Sequence, residues 1–295
     1  MGMFSRRVEF AVLSFLLAAI TLLPMQAHAQ QPTLVFTAIP DQDETRLVER
    51  FTFYAKYFEQ KLGIPVKYLP VKSYPAAVTA FTNNQVQLAW FGGFTGVQAR
   101  LAVPGSEAIA QGAEDVAFTS LFIAHASSGL VAGPDFPKGI EGKSFTFGSR
   151  ASTSGRVFPE HFIRAATGKT PEQVFSRVGF SGDHSKTIEL VQSGAYQVGV
   201  VDRLVFENAA NTGKVDPKAL SVIWTTPPFP DYQWTVRGDF DKTFGAGFKD
   251  RLIAAILAVD DAKMLAIFDR TKFIPTNNDN YKVIEEVGRL TGLLN

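Results

Sequence analysis

The sequence predicts an α/β protein built from two lobes. Three observations carry this. Short apolar runs alternate with helical periodicity over residues 34–91, and the same alternation restarts after Phe118. An amphipathic helical pattern then occupies the C-terminal region.

Leu34 to Ala38 is a short apolar run suited to a buried parallel strand. Leu47, Phe51, Tyr54, Ala55, Phe58 and Leu62 follow at helical spacing, with Gly63 placed to cap the helix. Val66 to Leu69 reads as strand, and Pro75 opens a helix towards Asn83 and Asn84. Val86 to Phe91 is a third strand, ending in Gly92 and Gly93. This β-α-β-α-β order predicts a mostly parallel sheet flanked by helices. In the second stretch the strands are Ser120 to Ala124, Ser144 to Phe147, Arg177 to Phe180, Gln197 to Val201 and Val222 to Thr225. Helical segments near Phe158 to Ala166 and Thr187 to Ser193 lie between them. Phe248, Leu252, Ala255, Ile256 and Val259 mark the tail helix. The two passages between the lobes, near 119–125 and 226–236, are too short for loose linkers and read as paired hinge strands. Lobe 1 is then expected to span 30–121 with 233–295, and lobe 2 to span 122–232.

Residues 1–29 read as a secretory signal peptide. Arg6 and Arg7 give the positive start, Phe10 to Leu23 is an uncharged, largely apolar run of 14 residues, and Ala27-His28-Ala29 supplies a small-residue cleavage site. The run is shorter than the roughly 20 residues a membrane-spanning helix needs. Cleavage after Ala29 leaves an exported chain with 27 Lys+Arg against 27 Asp+Glu. That balance offers no electrostatic footprint for nucleic acid and no polybasic patch for an anionic membrane. Cysteine is absent, which excludes a disulfide framework, a thiolate metal site and a Cys nucleophile.

Ligands of open parallel sheets bind beyond the carboxyl ends of the strands, so residues at strand-to-helix turns carry the functional expectation. Gly148 to Gly155 follows the strand Ser144 to Phe147, and Ser152 or Thr153 can cap the next helix. Free N–H groups there, the helix dipole and the hydroxyls of Ser152, Thr153 and Ser154 suit an anion, although ordinary capping uses the same residues. The Gly-Lys-Ser/Thr ending of a nucleotide phosphate loop is missing. His184, after Gly182 and Asp183, can donate to an anion through a ring N–H or simply bond its own loop. Asp202 ends a strand, where it faces the cleft or caps the next helix. Tyr74 sits at a helix start, where its phenol can reach the same anion or lie in the core rim. Trp90 and Gly93 fit a turn with a hydrophobic wall.

The sequence resembles the phosphate/phosphite/phosphonate-binding periplasmic proteins of ABC importers, the PhnD-like family. The resemblance runs through Lys72-Ser73-Tyr74-Pro75, Gln85 to Gly92, Ser152-Thr153-Ser154-Gly155, Gly182-Asp183-His184 and Gly194 to Asp202. Ala89-Trp90-Phe91-Gly92-Gly93 and the Ser-Thr-Ser-Gly turn are similar to a subgroup labelled as selenate binders. The resemblance implies a type II periplasmic-binding fold with the ligand between the lobes. It implies ligand contacts at Tyr74, Ser152, Thr153, Ser154, His184 and Asp202, with Trp90, Gly93 and Phe118 in the cleft wall. A family tyrosine near the hinge falls on Phe118, which removes a hydroxyl and argues against strict phosphonate specificity.

The function expected is therefore capture of a small oxyanion by a monomeric, non-catalytic periplasmic protein that delivers it to an inner-membrane permease, without a cofactor. Phosphonate, phosphite, phosphate, selenate and selenite all fit. One rival is a sensor subunit of the same fold; another is a secreted hydrolase using Ser154, His184 and Asp202 as nucleophile, base and orienter. Asp202 bears on the choice of anion, because an ionised carboxylate only accepts hydrogen bonds. Facing the ligand, it would favour oxyanions that keep an O–H over fully ionised selenate or sulfate.

Overall fold

Two mixed β-sheets, each covered by helices, form the body of the protein. A computed structural model describes residues 31–42 and 44–294, so the expected leader lies outside the described residues. The strands in chain order are β1 (Leu34–Ala38), β2 (Val66–Tyr68), β3 (Leu88–Phe91), β4 (Glu107–Gly112), β5 (Ser120–His125), β6 (Ser144–Phe147), β7 (Arg177–Phe180), β8 (Val198–Asp202), β9 (Leu220–Thr225), β10 (Gln233–Val236) and β11 (Phe273–Pro275). One sheet has the order β11-β4-β10-β3-β1-β2 and the other β7-β6-β8-β5-β9.

The helices follow the apolar periodicity. Helix α1 (Glu44–Leu62) buries Leu47, Phe51, Tyr54, Phe58 and Leu62. It ends at Gly63, whose φ of 71° is the left-handed cap a glycine adopts without strain. Phe36 of β1 meets Phe51 and Phe58 edge-on at 6.1 and 5.8 Å, fixing α1 on the sheet. Helices α2 (Tyr74–Thr82) and α3 (Gly93–Ala102) complete the first half. In the other lobe α4 (Phe158–Thr167), α5 (Pro171–Val174), α6 (His184–Gln192) and α7 (Arg203–Asn211) surround the second sheet. The tail, α8 (Phe240–Phe244), α9 (Phe248–Leu257), α10 (Ala262–Ile267) and α11 (Lys282–Leu290), returns to the first. No helix among the described residues is long and apolar enough to cross a membrane.

Both sheets are less parallel than the sequence suggests. Strands β1, β2 and β3 are mutually parallel, as are β6, β7 and β8, but β10 runs antiparallel to β3 and β4, and β5 antiparallel to β8 and β9. The direction has a simple cause. Strands of β-α-β units point their carboxyl ends at the cleft, whereas β5 and β10 each begin there, straight from a crossing, and run outwards.

The crossings, residues 113–119 and 226–232, are zipped together. Phe118 and Phe229 exchange both backbone hydrogen bonds at 2.8 and 2.9 Å, the only isolated bridge pair among the described residues. Asp231 N–H reaches the Asp115 carbonyl at 3.0 Å. Two short paired strands bend together far more easily than they separate, which is the geometry of a hinge.

Candidate functional site

Five helical N-termini converge where the carboxyl ends of the two sheets face each other. Tyr74 opens α2 behind Ser73, whose hydroxyl caps the helix by accepting the Ala76 N–H at 3.3 Å. Tyr74 is 1% exposed, and its hydroxyl lies beside Ser152 without a well-formed hydrogen bond from the protein. Burial, reinforced by Asp41, pushes the phenol well above its ordinary range, so it remains a donor.

Ser152 caps a single π turn, Thr153–Val157, that leads into α4. Its Oγ accepts the Gly155 N–H at 2.9 Å, and its carbonyl accepts the Val157 N–H at 3.0 Å. The N–H groups of Thr153 and Ser154 are left without an intrahelical acceptor. Gly155 is needed here, because a Cβ would stand 2.9 Å from Ser152 Oγ and 3.2 Å from Gly148 Cα. Ser154 Oγ is buried without a protein partner, while its carbonyl accepts the Ser120 hydroxyl at 2.7 Å. Thr153 is committed elsewhere. Its Oγ1 accepts the N–H of Phe94, at the start of α3 in the opposite lobe, at 3.0 Å, and lies near the Asp231 carboxylate.

His184 is the first residue of α6, which Asp183 caps through the Lys186 N–H at 2.7 Å. Its own backbone N–H crosses the cleft to the Asp41 carbonyl at 3.0 Å. The ring is fully buried; Nδ1 accepts the Asp202 backbone N–H at 3.2 Å, and Nε2 has no protein partner. Burial lowers the ring's pKa, so the imidazole is neutral and its proton resides on Nε2. Asp202 ends β8 and does both things the sequence left open. Oδ1 caps α7 through the Val205 N–H at 3.0 Å, and Oδ2 accepts the Tyr232 hydroxyl at 3.0 Å inside the site.

The three expected wall residues sit against this cluster. Trp90 stacks on Tyr232 with centroids 5.6 Å apart and planes 18° apart. Gly93 donates its N–H to Asp231 Oδ1 at 2.9 Å. The Phe118 ring meets Tyr232 edge-on at 5.8 Å, so a tyrosine of the second crossing supplies a hydroxyl beside the phenylalanine that lacks one. Arg156 of the π turn pairs with Glu160 of α4, and Lys186 with Glu189 of α6.

Sequence reasoning missed Asp41, Asp231, Tyr232 and the pair Asp115–Arg270. Asp41 lies just past the end of β1, where the strand-end rule could have found it. The others belong to the crossings or the tail, where no strand-to-helix turn announces them. Burial and the negative charge of Asp202 push the Asp41 carboxyl up to about 7, although part of the residue reaches the surface. Burial, with the negative charges of Asp115 and Asp202 adding to it, carries Asp231 up to about 7 against the Gly93 N–H and the neighbouring Thr153 hydroxyl, which favour its ionised form. Behind the wall, Arg270 grips Asp115 with two hydrogen bonds of 2.8 and 2.6 Å. Its guanidinium lies 5.0 Å from the Tyr232 ring and 5.6 Å from that of Phe118. An open groove of about 620 Å³, lined by Pro40, Lys72 and Ser73 of one lobe and Arg150, Phe180 and Gly182 of the other, forms the mouth of the cleft.

Two α/β lobes on paired crossings, with helix N-termini and buried donors meeting between them, define a two-lobed periplasmic binding protein. The chain matches the family described as "ABC transporter, phosphonate, periplasmic substrate-binding protein" over residues 36–281, and it belongs to that family. It is 38% identical over 287 residues, 95% of this chain and 96% of the relative, to the probable ABC transporter phosphite binding protein PhnD1 of Prochlorococcus marinus. The structure of that PhnD1 in complex with methylphosphonate superposes with a TM-score of 0.84, covering 88% of this chain and 98% of its own. A binding protein component of an ABC phosphonate transporter from Pseudomonas aeruginosa shares the fold at 22% identity, with a TM-score of 0.77 over 89% of this chain and 87% of its own.

Proposed function

We propose that the protein captures phosphite or a small phosphonate such as methylphosphonate in the inter-lobe cleft and hands it to its permease. The observation that carries this reading is the set of buried donors without protein partners: Tyr74 Oη, Ser154 Oγ and His184 Nε2. Together with the Thr153 and Ser154 N–H groups at a helical N-terminus, they suit three or four oxygens of one small anion. Each charge-assisted bond is worth about 1.5–3 kcal/mol, enough in sum for tight capture after the ligand's desolvation is met. Ser152 orients the turn and Tyr74, Thr153 acts through lobe closure, and Asp202 holds the Tyr232 hydroxyl in the site. The leader, cleaved after Ala29, would deliver the chain to the periplasm.

The chemistry favours binding over hydrolysis. A triad needs a carboxylate accepting from the histidine's Nδ1–H, so that Nε2 is free to take the serine proton. Here Nδ1 is itself an acceptor and the Asp202 carboxylate is engaged with Val205 and Tyr232. His184 Nε2 therefore donates, as a ligand-binding group should. Calorimetry against phosphite, methylphosphonate, phosphate, selenate and sulfate tests the reading. Binding of phosphite or methylphosphonate supports it; no binding of either at millimolar concentration rejects it.

A further inference from the structure

The buried charges of the cleft do nothing to draw an anion in from solution. Asp115, Asp202 and Asp231 are 0–1% exposed, and Arg270, the guanidinium buried beside them, is paired with Asp115. His184 is neutral, so the donors that suit the anion are uncharged O–H and N–H groups. Such dipoles act strongly at contact and fade within a turn of helix. The whole chain carries 29 Lys+Arg against 28 Asp+Glu, so its net charge supplies no pull either.

At the mouth the balance changes. Arg150 is exposed, two residues before Ser152 on the turn that carries the Ser-Thr-Ser cluster, and it lines the groove of about 620 Å³. It also lines a hollow of about 400 Å³ along β7, together with Arg177 and Glu172. Its guanidinium carbon lies 3.7 Å from the centre of the Phe180 ring, which holds the side chain at the rim without neutralising it. Among the described residues no carboxylate comes within ion-pair distance of it. Glu160 is taken by Arg156 and Arg164, and Asp183 accepts the Lys186 N–H. Arg156, 5.0 Å from the same ring, adds positive charge behind it, and Lys72 stands on the opposite lip.

We propose that Arg150 is the capture residue of the cleft, drawing the oxyanion to the mouth and setting the rate of association without touching the anion once it is bound. The proposal rests on the reading that the anion binds between the lobes. In water, a full charge about 10 Å from an approaching dianion raises its local concentration roughly threefold to fourfold at low ionic strength. The exposure of Arg150, against the burial of Tyr74, Ser154 and His184, keeps it outside the shell of the bound anion. A rim charge so placed speeds entry and leaves release to the buried donors. The acidic interior makes the division necessary, because beyond contact range its carboxylates oppose the ligand.

Stopped-flow mixing with methylphosphonate at mildly alkaline pH, where the ligand is a dianion, tests this through tryptophan fluorescence or, where that is silent, phosphorus NMR exchange. Wild-type kon should fall as ionic strength rises, although the chain is nearly neutral. At roughly 10 mM salt Arg150→Gln should lower kon about threefold to fourfold and Arg150→Glu about tenfold. At roughly 0.5 M salt both should come within about 1.5-fold of wild type. Arg150→Lys, which keeps the charge, should stay within about 1.5-fold of wild type throughout, and koff should be the same in all four proteins. Wild-type kon in Arg150→Gln, a raised koff with kon unchanged, or a lysine that restores nothing the glutamine loses would overturn the proposal. So would a wild-type kon indifferent to salt, a measurement that needs no variant to fold. Failure of wild type to bind phosphite or methylphosphonate at all would instead reject the functional reading beneath it.

Discussion

Nδ1 of His184 accepts the backbone N–H of Asp202 at 3.2 Å, and this one contact sets the chemistry of the ring. It fixes the tautomer, ties the start of α6 to the end of β8, and makes Nε2 a donor. Deleting the ring removes a donor of the proposed site and leaves the Asp202 N–H buried without an acceptor. His184→Ala should therefore weaken methylphosphonate binding by about 1.5–3 kcal/mol, and His184→Gln, which keeps an amide donor, by less. A pH signature accompanies this. Burial lowers the folded pKa of His184, so its contribution to stability is present above the ordinary histidine value and lost as pH falls below it. Melting of the ligand-free protein should show wild type losing more stability than His184→Gln between about pH 7 and pH 5. Equal losses would mean that the buried ring is not neutral.

Thr153 and Ser154 are neighbours with different tasks. The Thr153 hydroxyl joins the lobes through Phe94, whereas Ser154 Oγ has no protein partner. Thr153→Val strands the Phe94 N–H in the closed form, at a cost of about 1–3 kcal/mol. That cost falls on closure, so affinity for every anion should drop by the same factor, while Thr153→Ser stays near wild type. Ser154→Ala should change the ranking of anions as well as the affinity. Calorimetry across a panel of oxyanions separates the two, and a Thr153→Val variant that reorders the panel would contradict the assignment.

Arg270 and Asp115 form an ion pair with side chains 4% and 0% exposed, at the foot of the first crossing. Breaking such a pair leaves one buried charge uncompensated. Arg270→Met should destabilise the protein by about 3–5 kcal/mol, read as a lowered denaturant midpoint. Arg270→Met combined with Asp115→Leu should recover much of that loss, since the stranded carboxylate is gone. A double variant no better than the single would show that Arg270 acts through its aromatic contacts instead.

Much of this architecture is legible in the sequence because local rules and tertiary demands agree. Leu34 to Ala38, Ser144 to Phe147 and Arg177 to Phe180 are strands from end to end as their apolar runs suggest, and Gly63 stops α1 where expected. Strand β4 escapes notice because Glu107-Ala108-Ile109-Ala110-Gln111-Gly112 has a single β-branched residue. Strand β10 falls inside the passage 226–236 that reads as a hinge strand, but its place within the sheet escapes because Gln233 and Thr235 are polar yet wholly buried between β3 and β4. At the site, each residue read from a strand-to-helix turn lies within the cluster, since the turn chemistry that caps a helix also aims its first side chains at the cleft. Asp202 shows that capping and facing the site are compatible, where sequence treats them as alternatives. Asp231 and Tyr232 are invisible by the same logic. They follow Pro230 in a crossing segment, and only the fold brings them beside residues about thirty and eighty positions earlier.

Tyr232 offers the sharpest test of how the hinge side of the cleft is built. Its hydroxyl donates to Asp202 Oδ2 at 3.0 Å, and the ring lies between Trp90 and Phe118. Tyr232→Phe keeps the ring packing but leaves the buried Asp202 carboxylate short of a donor on Oδ2. The unsatisfied acceptor costs about 1–3 kcal/mol, and Asp202 loses the bond that fixes its Oδ2 edge. Methylphosphonate affinity should fall about tenfold, with the melting temperature lowered by a few degrees. Phe118→Tyr adds a hydroxyl at a fully buried position already packed against Tyr232 and Phe229, so it should lower stability without improving affinity. If position 118 were where the site lacks a donor, the reverse would hold. Phe118→Tyr would then tighten binding and Tyr232→Phe would leave it unchanged, a result that would move the hinge hydroxyl back to the first crossing.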